Sequence, residues 1–504
     1  MRVDISTLSI GLILCTIPTL WAGEPLPQDF GYTRTWSALI DAGIGWESHS
    51  LFHPATPDSL LYMTDSAAAG LNSREIERLT RLVQGSADAQ RHGASETAFI
   101  GAAGFITSRS EGSDRIYRGT GLTPFVRGHL SFHQYWSADL YLRATNRAAS
   151  LAHYSGRTRS IERAGFNSAE IDQAQIAFRN DWAVIEAGRS REIVGFLPDE
   201  NLALGAESPA YDRFAVQATF GRFTWRSFYG FLEAIRGDSG ITQRYIAGRT
   251  LQYASGNRLL LGFTEVSYLS GRDRPLDWAF INPLGFHVEI DQNHRDNQGS
   301  DKAQNAWWVL NADYLAAPRL RLSGAILLDD FQLDAKDRQR TQDQLGWLAR
   351  AAWSPVIGSI LATLWSDYVR IGTFTTQHDV AANNAVTRGV YMGHPVGNDA
   401  ERMRIGARLI PASLGIYEAA IGQARRGGNS LLRSPYRSRT LAPKVSFPSA
   451  PVGSATFLEI SAGGWILRDL RLELDGKWEW NTKQGGVEGT RVDLSLIYAH
   501  LFIP

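Results

Sequence analysis

Cysteine is almost missing: the 504-residue chain has one, Cys15, within its first 22 residues. Residues 1–22 read as a secretory leader, with Arg2 as a basic start, an apolar run from Leu8 to Leu20 and Ala22 before the cleavage point. A lipid-anchor reading of Cys15 meets Leu14, which is too large for the small residue such processing needs. The mature chain is therefore expected to carry no thiol. That excludes disulfides and thiolate catalysis, and it suits passage through an oxidising periplasm. Lysine is scarce too: all but five of the 51 basic residues are arginine. Arginine-rich codon usage would explain this, and so would a need for planar, bidentate pairing with carboxylates or phosphates. Neither sign of charge is in excess, so no nucleic-acid partner is implied. Long apolar runs are also lacking. The leader's core is short and broken by Pro18, and no other segment reaches the length of a spanning helix. An exported chain that stays in a membrane would then have to be a barrel.

What the chain does have is period-two patterning. In "DLRLELDGKWEWN", Asp469 to Asn481, every odd residue is polar and every even one is apolar or glycine. Such a segment is an extended strand with one wet and one greasy face. Phe214, Val216, Ala218 and Phe220 alternate with Arg213, Gln217 and Thr219. Trp308, Leu310 and Tyr314 oppose Asn311 and Asp313, and Leu320, Leu322, Ile326 and Leu328 oppose Arg321, Ser323 and Asp329. The connections decide which solvent each face sees. Short links near 134–136, 180–181, 221–222, 255–257, 316–319, 354–359, 410–413 and 467–469 alternate with longer ones. The longer ones fall near 109–122, 146–170, 191–211, 236–242, 270–304, 332–344, 371–401, 425–453 and 482–489. Tight turns at one end and large loops at the other are the habit of an outer-membrane barrel. A soluble sandwich has no reason to sort its loops so, although a soluble all-β protein with half-buried strands stays open as the alternative.

The fold expected is all-β: a transmembrane antiparallel β-barrel of about 18 strands over residues 97–504, preceded by a small α-helical N-terminal subdomain. That subdomain covers 23–96 and is periplasmic or plugs the barrel. Its main helix is expected after Asn72, with Glu75 completing a capping box, Ile76, Leu79, Leu82 and Val83 on one face and Gly85 as the stop. A shorter helix is expected over Ser37–Gly43. Leucines then face lipid, and Arg127, His129, Arg226, Asn311, Arg321, Asp329, Arg471, Glu473 and Lys477 line the lumen. Trp308, Tyr314, Phe331, Trp478 and Trp480 are expected at strand ends as interfacial aromatics.

Candidate chemistry is thin. His129 and His133 on one strand would stand about 13 Å apart, too far for one metal ion. His287 and Glu289 form an H-x-E without the cysteines a zinc deaminase needs. No nucleophile elbow, zinc-protease motif or P-loop is present, so neither enzyme activity nor a cofactor or metal is expected. Loop 270–304 mixes aromatics with amides and charges. Trp278, Asn282, Asp291, Asn293 and Arg295 are its candidate polysaccharide contacts, flat rings suiting sugar faces and polar groups suiting hydroxyls. A solvated loop that plugs or lines the barrel is the plainer reading.

The segment "RPLDWAFINPLGFHVEIDQN", the hairpin "WWVLNADYLAAPRLRLSGAILLDDFQLD" and "EAGRSREIVGFLPDENLALGAESPAYDRF" resemble the capsule-assembly Wzi family. The resemblance implies an outer-membrane, lectin-like monomer that binds capsular or other surface polysaccharide and helps attach or assemble the capsule. It implies no catalysis, outer-membrane lipid as the other partner, and a structural or charge-tuning role for Arg127, Arg226, Arg321 and Asp329. A substrate-specific porin or channel is the alternative, with Arg471, Glu473 and Lys477 shaping the field along a pore.

Overall fold

The computed structural model describes residues 32–44, 51–53, 98–112, 119–132, 135–148, 154, 156–180, 182–197, 200–237, 240–255, 258–293, 302–330, 342–411, 415–433, 444–467, 469–483 and 489–502. The leader, the helix expected after Asn72, Arg295 and Phe331 lie outside the described residues. Most of 23–96 does too, so the expected helical subdomain is not shown. One helix is: α1, Tyr32–Asp41, which begins before the Ser37 expected for it.

The strands are β1 Ala98–Gly112, β2 Gly119–Phe132, β3 Trp136–Thr145, β4 Ser168–Arg179, β5 Ala183–Ser190 and β6 Tyr211–Phe220. They continue as β7 Phe223–Phe231, β8 Gly240–Ser255, β9 Leu259–Arg272, β10 Lys302–Ala317, β11 Leu320–Asp330 and β12 Gln344–Trp353. The last are β13 Ile360–Ile371, β14 Ala400–Ile410, β15 Ile416–Arg426, β16 Gly453–Leu467, β17 Leu470–Lys483 and β18 Gly489–Phe502. Each pairs antiparallel with its sequence neighbour. β18 closes on β1, with Gly101 opposite Phe502 and Gly112 opposite Arg491. The result is a closed 18-strand barrel. Closure leaves no unpaired edge in the wall.

Short links at one end alternate with longer ones at the other, except that 113–118 and 484–488 match the short-end links 354–359 and 411–415 in length. Those at 113–118 and 484–488 are shorter than expected, because the flanking strands run further than their alternation suggested, and the one expected at 236–242 falls at 232–239.

The alternation also settles which face sees what. Leu472, Leu474, Leu310, Leu322, Ile326, Ile421 and Leu494 point outward and are exposed, whereas Arg471, Arg321, Asp313 and Arg127 are buried inside. Trp136, Trp182, Phe220, Phe223, Tyr314 and Trp353 ring the short-turn end on the outer face. An apolar skin with aromatics at its rim and charge within is the organisation of a membrane-spanning barrel. No described helix is long and apolar enough to cross a membrane.

Candidate functional site: a filled lumen beneath an interlocked cap

The nine residues expected to line the lumen lie on β2, β7, β10, β11 and β17. Arg127 and His129 are buried on β2, Arg226 on β7, Asn311 on β10, Arg321 on β11 and Arg471 on β17. Asp329 accepts from the Thr376 backbone N–H of an inward-folded loop at 2.6 Å. Arg471 pairs with Glu473 at 2.9 Å, and Lys477 with Glu479 at 2.9 Å.

The sequence did not reveal their partners, because these come from distant strands or from segments inside the barrel. Asp41, the last residue of α1, is fully buried. It pairs with Arg321 at 2.8 Å, Arg350 at 2.6 Å and Arg408 at 3.5 Å. Burial alone would raise the Asp41 carboxyl, but Arg350, Arg321 and Arg408 outweigh it and hold it below its usual range. α1 is therefore anchored in the lumen by three guanidinium groups. Arg321 also grips Asp313 at 2.6 Å and donates to the Phe196 carbonyl at 2.7 Å. A second focus joins Glu200 to Arg402 at 2.6 Å and Arg404 at 2.7 Å, with Arg404 also on Asp367 at 2.7 Å. A third joins Glu186 to Arg213 and Arg226 at 2.9 and 2.8 Å. Removing one partner of such a buried pair leaves an uncompensated charge and costs about 3–5 kcal/mol.

Towards the long-loop end the inner wall turns apolar. Tyr268, Trp307, Val309, Leu327, Leu348, Val369 and Ile371 face inward. They pack against Phe196, Leu202 and Leu204 of link 191–210 and Ala385, Met392 and Val396 of link 372–399. Both links thus fold into the barrel and form a core there. Arg244 on β8 fixes the second by donating to the carbonyls of Ala382 (2.6 Å), Asn384 (3.3 Å) and Val386 (2.7 Å).

Side chains then tie two of the links at this end to each other. Asp399 accepts from Thr373 Oγ1 at 2.9 Å, the Ser449 N–H at 2.8 Å and the Asn429 N–H at 3.2 Å. Asn384 donates to the carbonyls of Leu431 and Arg433, and Gln377 to that of Ser430. Links 372–399 and 427–452 are one cap.

Two spaces test what this arrangement can do. A cavity of about 360 Å³ lies between α1 and the wall, lined among others by Arg350, Arg404, Glu200, Glu418, Asp475 and Trp365. Arg350 and Arg404 stack on Trp365 at 4.6 and 5.0 Å. Elsewhere His129 bonds Asp139 at 2.6 Å through Nδ1 and Ser131 Oγ at 2.9 Å through Nε2. That is the order of a hydrolase triad, but all three side chains are buried in the wall, so no substrate carbonyl reaches Ser131. Among the described residues no cluster of three metal-ligating side chains occurs.

The candidate glycan loop lies elsewhere than at the mouth. It forms α2, Trp278–Ile281, and α3, His287–Gln292, folded down the outside of the barrel. Phe280 and Ile290 pack on Tyr229, Tyr245, Ala247 and Leu269. Tyr245, Ala247 and Leu269 share the outward register of the exposed Leu251 and Leu261, and Tyr229 pairs with Ala247. Trp278 is 75% exposed on this outer flank. Asn282 caps the Leu284 N–H at 3.1 Å, and Asn293 donates back to the Glu289 carbonyl at 3.0 Å. The structure brings Trp278 and Asn282 together, with Asn293 at the far end of α3; Asp291 lies within α3. Trp308, expected at a strand end, sits mid-strand and donates to Glu265 beneath this loop at 3.1 Å.

No family model matches the chain, and no curated protein does. Among solved structures it is similar to Wzi, described as an outer membrane protein involved in group 1 capsule assembly in Escherichia coli and as a carbohydrate-binding β-barrel. The TM-score is 0.60 at 12% identity, covering 92% of this chain and 97% of that one. OprD from Pseudomonas aeruginosa matches with a TM-score of 0.45 at 11% identity, covering 81% of this chain and 96% of that one. OccAB4 from Acinetobacter baumannii gives 0.42 at 8% identity, covering 81% and 99%. At 12% identity the likeness to Wzi is one of fold, and the other two are too loose to bear on function.

Proposed function

We propose that this chain is an outer-membrane barrel that binds capsular or other surface polysaccharide at its cell-exterior face. On this reading it helps attach or assemble that polymer, acting as a monomer with no catalytic step. The observation that supports the reading is that links 191–210 and 372–399 fold into the barrel, and that the second is locked to 427–452. Links of its own chain inside a barrel narrow the path left to a solute. Polar loops cross-linked at the long-loop end suit a hydroxyl-rich polymer that stays outside. The fold it shares with a carbohydrate-binding capsule-assembly barrel supports the same reading. Asn293, with Asp291 and Arg295 beside it in sequence, is the polar end of the outer-flank loop and remains a candidate contact.

The charged cavity favours one second reading, a substrate-specific channel whose narrow path runs past Arg350, Arg404 and Trp365. Two measurements on the purified full chain separate them. The glycan reading expects retention of surface polysaccharide from the source cell and negligible single-channel conductance in planar bilayers. Steady conductance without polysaccharide binding would establish the channel instead.

A further inference from the structure

The outer flank carries an anomaly that neither reading uses. Arg249 on β8 and Glu265 on β9 stand opposite each other in the outward register, with Leu251 and Phe263 two residues further along the same faces. Both charged side chains are nevertheless buried. Glu265 sits mid-strand, about 15 Å above the short-turn end for a strand tilted as barrel strands are. That height lies within the hydrocarbon layer, where an uncovered ion pair is strongly disfavoured.

The α2–α3 segment is what covers it. Arg249 donates to the carbonyls of Phe280 at 2.9 Å and Asn282 at 3.1 Å, and Glu265 accepts from the His287 N–H at 2.9 Å and the Trp308 indole. The pair therefore satisfies backbone groups of an irregular segment, which lipid could not do.

The other side of that segment is apolar. Leu276, Trp278, Leu284 and Phe286 are 42, 75, 75 and 51% exposed. Four large apolar side chains in eleven residues form a patch, unlike the single exposed Leu432 or Ile161 of other links. The patch continues the lipid-facing wall of Phe231, Ile241, Leu251 and Leu261.

We propose that residues 276–290 form a collar embedded in the outer leaflet. Its polar backbone is turned inward onto Arg249 and Glu265, and Trp278, Leu284 and Phe286 are turned outward onto acyl chains. The collar thickens the wall on one flank, with Leu284 and Phe286 at its lower tip. It rests on the membrane reading of the barrel but not on glycan binding, and it assigns Trp278 to lipid.

The test exploits the scarcity of thiols. With Cys15 as the chain's one cysteine, a Cys15→Ser background allows a single spin label at Leu284→Cys or Trp278→Cys. Leu310→Cys serves as a wall reference and Leu432→Cys as a cap reference. The full chain is reconstituted into phospholipid vesicles, and folding is checked by heat-modifiable gel migration. Collision rates with oxygen and with a water-soluble nickel chelate are then compared. The expected result is that labels at 284 and 278 favour oxygen, as 310 does, while 432 favours the chelate. Chelate accessibility at 284 matching that at 432 would overturn the collar. So would shielding from both reagents, the sign of a second copy or protein partner on the patch. If 310 itself favoured the chelate, the membrane reading would fall and the collar with it.

Discussion

The inward arginines meet several oxygens at once. Arg226 takes Glu186 and Glu192, Arg321 takes Asp41, Asp313 and the Phe196 carbonyl, and Arg404 takes Asp367 and Glu200. A planar five-donor fork can satisfy two or three acceptors in a fixed geometry, whereas an ammonium cannot. The dearth of lysine thus has a physical use in the lumen, whatever its genetic origin. The same crowding makes the filling sensitive to acid. Burial holds the His394 imidazole below its ordinary value, and Glu200 at 3.6 Å offsets only part of this; His378 is lowered by burial in the same way. A folded value below the unfolded one means that the docked loop excludes a proton which the released loop would bind. Its stabilisation is therefore whole above about pH 6.5 and is lost progressively as pH falls from there through the lower folded value. Glu200, held well below its usual range by Arg402 and Arg404 against the opposing effect of burial, adds a loss only below about pH 4.5. Protection in 378–396, after correction for the intrinsic slowing of amide exchange with falling pH, is expected to drop between pH 7 and 5 while β13 and β14 stay protected. His394→Gln should flatten that first phase and leave the lower one. An unchanged profile in the variant would show that His394 is not the group responsible.

At the scale of elements, link 372–399 is held less by its own structure than by the wall it enters. Arg244 supplies three bonds to its carbonyls, and Arg244→Lys keeps the charge but loses the fork. Local opening of 382–392 should become easier by about 2 kcal/mol, roughly thirtyfold faster exchange, with the barrel's melting unchanged. Exchange that slowed or stayed equal would mean the loop is secured by the packing of Met392 and by its bonds to 427–452 without Arg244. This element also marks where the sequence stopped being readable. Lower on β10 the alternation of Leu310 and Tyr314 against Asn311 and Asp313 reports lipid outside and a polar lumen inside, and it was legible. Higher up, Trp307 and Val309 are also apolar because inward links replace water there. The run "WWVL" then looks the same on both faces, and period two vanishes. The seat of the outer-flank loop was not legible for a related reason. It is set by Arg249 and Glu265, charges in an outward register, and that break in alternation was the available signal. Asp41, Glu200 and Asp139 could not have been found from spacing, since each meets partners brought from other strands or segments.

For the whole molecule, the claim at stake is that the protein is inside out, with hydrocarbon outside and charge within. Leu310 and Asn311 are adjacent on β10 and paired with Ile326 and Ala325, so one position differs from the other mainly in which face it occupies. Leu310 is 44% exposed and points outward near mid-strand, whereas Asn311 is buried and points inward. In a soluble sandwich an exposed Leu310→Lys would be close to neutral, since surface substitutions usually fall within about 0.5 kcal/mol. In a bilayer the same lysine sits near the midplane and costs about 2–4 kcal/mol, because no side chain or water there can solvate it. Asn311→Ala, by contrast, removes one inward polar group and should cost about 1 kcal/mol in either medium. Reversible unfolding of the full chain in phospholipid vesicles, read by tryptophan fluorescence against denaturant, gives both numbers. A penalty at 310 well above that at 311 is expected, and it should shrink when the lysine is moved along the same face to Tyr314 at the short-turn rim, where the charge can reach water. Equal and small penalties at 310 and 314 would mean that water, not lipid, covers this face, and the barrel would have to be soluble.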